Sequence, residues 1–78
     1  MNYVKTTQYY EHVPLQLIPR KDYPMKAAKR FRINDTNQNV WIPNKHLESD
    51  RALKPNQNLL YIFKKARKQL ELAKVEPF

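Results

Sequence analysis

The chain has 78 residues with no cysteine and no glycine, and fifteen Lys and Arg against seven Asp and Glu give it a net charge of +8. That length fits one small basic domain, residues 1–78, and the missing cysteine excludes disulfides, thiolate metal sites and cysteine nucleophiles together. Phosphate-cradling glycine loops are excluded as well, and no apolar run approaches the ~18 residues of a membrane span.

The opening residues "MNYVKTTQYYEHV" hold no apolar stretch of the secretory kind, so a complete cytoplasmic protein is expected. Without glycine, positive φ angles should fall to Asn and Asp. Turns are therefore expected at residues 21–24, 34–39 and 50–56, where Asn, Asp and Pro cluster.

Residues 3–10, "YVKTTQYY", are rich in β-formers and predict a strand. In "HVPLQLI", Val13, Leu15 and Leu17 alternate with Pro14 and Gln16. Proline cannot donate to a ladder, so this segment is expected at a sheet edge or as an extended arm. From Ala28 the period of two is clear, with Phe31 and Ile33 on one face and Arg30 and Arg32 on the other. The polar "NDTNQN" then separates this strand from the short apolar run "VWIP", which predicts a β-hairpin with a long turn. "PNKHLES" suits a single helical turn.

Asn56 is a candidate N-cap for a C-terminal helix. In that helix Leu59, Ile62, Phe63, Ala66, Leu70 and Ala73 trace one apolar stripe at about 100° per residue. The last four residues, "VEPF", are expected to fray. The expected fold is α+β: a small antiparallel sheet of three to four strands packed on one C-terminal α-helix.

Positive charge gathers in two places. Arg20, Lys21, Lys26, Lys29, Arg30 and Arg32 run into the first strand of the hairpin, and Lys64, Lys65, Arg67 and Lys68 lie on the helix. Spaced cations of this kind suit a polyanion, because each neutralised phosphate releases a counterion. The blander explanation is a solvated face that keeps the chain soluble.

Two aromatic residues sharpen the question. On the helical wheel Tyr61 falls among Lys64, Lys65 and Lys68, where it can stack a base, though a dimer contact would place it there equally well. Trp41 joins Arg30 and Arg32 on one sheet face if Val40 and Ile42 point to the core. Burial is the commoner fate of a tryptophan and weighs slightly the other way. The two groups form either one surface or two; if the helix covers the face opposite Trp41, they lie on opposite sides of the domain.

Catalysis is not expected. Ser49 is the sole serine, and His46, Glu48 and Asp50 would not converge on a metal from a turn. No cofactor is implied.

The function expected from these residues is non-catalytic nucleic-acid binding, to DNA or RNA, by Lys29, Arg30, Arg32, Trp41, Tyr61, Lys64, Lys65 and Lys68. The alternative is a small protein-interaction module, such as a regulator or inhibitor binding an acidic surface of a larger protein. A homodimer stays open. Membrane binding is disfavoured, because the helix needs its apolar face for the core.

Overall fold

A computed structural model describes residues 7–19 and 27–78. Most of the expected first strand, the turn at 21–24, and the cations Arg20, Lys21 and Lys26 lie outside the described residues. The described residues form β1 (Gln8–Tyr10), β2 (Val13–Leu17), β3 (Ala28–Ile33), β4 (Asn39–Pro43), a single 3₁₀ turn (Asn44–His46), α1 (Leu60–Lys65) and α2 (Arg67–Leu72). The strands make one antiparallel sheet in the order β1-β2-β3-β4, and the α+β expectation holds.

Alternation decides which face is which. Val13, Leu15, Phe31, Ile33, Val40 and Ile42 all point inward and are buried. Against them pack Leu59, Ile62, Phe63, Ala66, Leu70 and Ala73, the whole of the apolar stripe. The stripe crosses from α1 into α2 at Ala66, so two short helices stand where one was expected. Hydrogen bonds from the Ala66 N–H to Ile62 (3.1 Å) and from the Leu70 N–H to Ala66 (3.0 Å) carry the helical pattern across the joint.

The position of β2 corrects an expectation. It lies between β1 and β3, not at an edge. Pro14 is tolerated there because its backbone faces the last rung of the β2–β3 ladder, where its carbonyl accepts the Asn34 N–H at 2.9 Å. The missing N–H thus costs the sheet one terminal bond, with no gap in the middle.

Helix initiation also differs. Asn56 sits in a left-handed turn (φ 61°) and does not cap α1. The Asn58 side-chain oxygen accepts the Leu60 N–H at 3.0 Å, and the Tyr10 hydroxyl accepts the Leu59 N–H at 3.1 Å. The C-terminal tail likewise packs where fraying was expected. Val75 is buried, and the Phe78 ring stands 5.9 Å from Phe63 and 5.8 Å from Tyr10. The His12 ring also donates to the Glu76 carbonyl.

With no glycine to take positive φ, Asn34, Asp35 and Asn56 do so as expected, but so do Glu11, Arg51 and Lys74. Left-handed backbone costs a residue with a Cβ roughly 1–2 kcal/mol. Lys74 closes α2 in a Schellman arrangement, with the Val75 N–H bonded to Leu70 (2.9 Å) and its own N–H to Glu71 (3.0 Å). Glycine is the usual occupant of that position. Lys74→Gly is accordingly expected to stabilise the fold by about 0.5–1 kcal/mol, read as a higher urea midpoint at unchanged slope. A lower midpoint would contradict the strain assigned to Lys74.

Candidate functional site

The hairpin places the expected site residues on two faces. Arg30 lies opposite Trp41 and Arg32 opposite Asn39 in the β3–β4 register, all on the face away from the core. Trp41 is 39% exposed, so burial, the commoner fate of a tryptophan, does not hold here. Arg32 is exposed and forms a surface ion pair with Asp35 at 3.6 Å. Such a pair is worth at most about 1 kcal/mol and yields easily to another anion.

Lys29 does not belong with them. It shares the inward face with Phe31 and Ile33, pairs across to Ile42 and is only 8% exposed. Its ammonium donates to the Asn44 Oδ1 at 2.8 Å, so its work is structural: it ties β3 to the 3₁₀ turn. Burial first, and the Arg51 guanidinium second, hold its pKa below the ordinary value of 10.5.

Below the lowered value both folded and unfolded chains keep the proton, and the cost of burying the charge is present in full. As pH rises towards 10.5 the folded chain sheds its proton first, so this group makes stability rise with pH. Lys29→Met should lack that rise when urea midpoints are compared between about pH 8 and pH 10. The same pH slope in both proteins would show that Lys29 is not its source.

On the helices, Lys64, Lys65 and Lys68 are exposed, and Tyr61 is 45% exposed beside them. The helix layer does lie on the core side of the sheet, yet Trp41 and Tyr61 are not separated. Because β4 is an edge strand, Trp41 stands at the rim of the sheet, and α1 runs close enough for both residues to line one open groove of about 370 Å³. Val40, Pro43, Ile62 and Ala66 supply its apolar surface, and Asn39, Lys65 and Gln69 its polar margin. Trp41 and Tyr61 thus share this groove, while Arg30 and Arg32 lie on the outer face of the sheet.

A buried histidine fixes one wall of the groove. The His46 Nδ1 lies 2.7 Å from the Gln57 Oε1 and its Nε2 lies 2.6 Å from the Tyr61 hydroxyl. Since the carboxamide oxygen only accepts, the ring donates from Nδ1, and its Nε2 is hydrogen-bonded to the tyrosine hydroxyl. The Lys45 ammonium stands 6.0 Å from the centre of the Tyr61 ring. At that distance it adds a weak cation–π contact and a positive charge to the groove's edge.

Gln57, Lys45, Asn39 and Gln69 carry no signal in the sequence, which raises His46 only as a metal ligand. The bonds from His46 to Gln57 and Tyr61 span 11 and 15 residues and follow no periodicity. Among the described residues no group of three or more His, Cys, Asp or Glu side chains is placed to hold a metal ion, and no helix is long and apolar enough to cross a membrane.

The chain matches no protein family, no curated protein and no solved structure to a significant degree.

Proposed function

We propose that this is a non-catalytic nucleic-acid-binding protein, acting in the cytoplasm, that takes its ligand in the groove between β4 and α1. The observation that carries this reading is the meeting of Trp41, Tyr61 and Lys65 along one open groove. Aromatic faces accept bases of any sequence, and ammonium groups beside them hold the linking phosphates. Arg30 and Arg32 on the sheet, and Lys64 and Lys68 on the helices, extend the positive surface along which a polyanion approaches.

The rival occupant is an acidic peptide, added as a further strand along β4. The β3 partners of Gln38 and Asn44 set the pattern: backbone groups of residues 39, 41 and 43 point to the free edge. Pro43 has no N–H to offer, which shortens the row of donors that strand addition needs. Charge suits both occupants, but the broken edge and the ring faces favour the nucleic acid.

The test is binding of labelled, mixed-sequence DNA and RNA across a salt series. Affinity should fall linearly with log salt, by about 0.7–0.9 log units per phosphate contacted. Absence of binding to either at ~50 mM salt, where such contacts are strong, would overturn the reading.

A further inference from the structure

We infer that the ligand is a single strand, that it seats one unpaired base in the groove, and that Gln69 reads that base's edge. This rests on the nucleic-acid reading above and narrows it. In a duplex the base faces are covered by their neighbours, and only edges reach a protein through the grooves. Trp41 and Tyr61 are exposed residues beside one open groove, and exposed aromatic residues serve a ligand whose face is open.

The hydroxyl of Tyr61 is bonded to the His46 Nε2 at 2.6 Å, and the exposed part of the residue offers its ring to a ligand. That hydrogen bond also holds the ring in place before binding, which lowers the ordering cost. His46 and Gln57 are therefore positioning residues. The open groove, of about 370 Å³, has room for a base.

The helices support the same conclusion. Each is six residues long and buries its apolar side in the core, leaving Lys64 and Lys68 outward as phosphate contacts. Tyr61 is the one exposed aromatic side chain on either helix, and it lines the groove.

Gln69 lines the groove beside the rings, and its carboxamide makes no side-chain hydrogen bond among the described residues. A carboxamide sets a donor beside an acceptor, the pattern that pairs with base edges. Asn39 is the second carboxamide there, but it is turned to the Asn37 carbonyl at 3.4 Å.

Trp41 is the sole tryptophan, so its emission reports on the groove directly. The experiment titrates the full chain with oligonucleotides of about ten residues: adenine, thymine and cytosine homopolymers, and a duplex of equal length. Single strands should change the Trp41 emission and bind at least about fivefold more tightly than the duplex at equal salt. In Gln69→Ala, checked for folding by circular dichroism, the spread among the homopolymers should narrow while the salt slope stays the same.

Equal affinity for duplex and single strand, with unmoved Trp41 emission, would overturn the single-strand inference and leave nucleic-acid binding standing. An unchanged spread in folded Gln69→Ala would overturn the assignment of edge reading. Emission that responds to an acidic peptide and to no oligonucleotide would overturn both this inference and the function it rests on.

Discussion

Phe63→Ala is expected to destabilise the protein by about 3–5 kcal/mol and leave a large fraction of the chain unfolded at room temperature. Phe63 is fully buried at the meeting point of the helices, β1 and the tail. Its ring stacks on Tyr10 with centroids 5.5 Å apart and planes 9° from parallel, and Phe78 approaches from another side. Removing the ring leaves a cavity and takes away the partner of both aromatics.

A domain of this size holds only about 4–12 kcal/mol in total, because per-residue stability is small and the surface-to-volume ratio is high. No disulfide offsets the loss. Tyr10 also accepts the Leu59 N–H, so its displacement would loosen the start of α1 and the groove behind it. Urea denaturation followed by circular dichroism measures the effect. A loss below about 1 kcal/mol would mean that the site collapses around the void and that the stacked pair is not central to the core.

The second large effect concerns binding. Trp41→Ala should weaken single-strand affinity by about 1–3 kcal/mol, roughly 5- to 150-fold, while leaving the salt slope unchanged. The indole is lost but no cation is removed, and the half-open position of Trp41 limits the cost to folding.

Lys65→Gln should show the complementary pattern: a shallower salt slope, by about 0.7–0.9, with the Trp41 response retained. The pair separates stacking from phosphate neutralisation, as anisotropy of a labelled strand over several salt concentrations can show. A Trp41→Ala protein that binds as tightly as the parent would remove the ring from the site.

Most of the fold was legible because it follows from two periods. Alternation in "AKRFRI" and "VWIP" placed Phe31, Ile33, Val40 and Ile42 on the core face, and the helical stripe from Leu59 to Ala73 is buried at every position named. Local rules failed where tertiary contacts took over. Pro14 looked like an edge residue, yet its silent nitrogen falls at a ladder's end beside Asn34. "VEPF" looked loose, yet Phe78 packs beside Phe63 and Tyr10.

Lys29 is a different case. The same alternation that set Phe31 inward also sets Lys29 inward, but its charge drew it into a surface cluster. Its partner, Asn44, lies 15 residues away and gives no local signal. The groove itself was not legible. It depends on β4 being the sheet's edge and on α1 lying beside it, and neither fact is written in the spacing of Trp41 and Tyr61.

The most direct test of the groove is two-dimensional ¹H–¹⁵N NMR of the full chain with and without a single-stranded oligonucleotide. The largest changes are expected at the Trp41 indole N–H, the Gln69 side-chain amide and the backbone amides of Tyr61 and Lys65. An indole resonance that stays still while changes scatter over lysines and arginines all around the molecule would contradict binding in the groove.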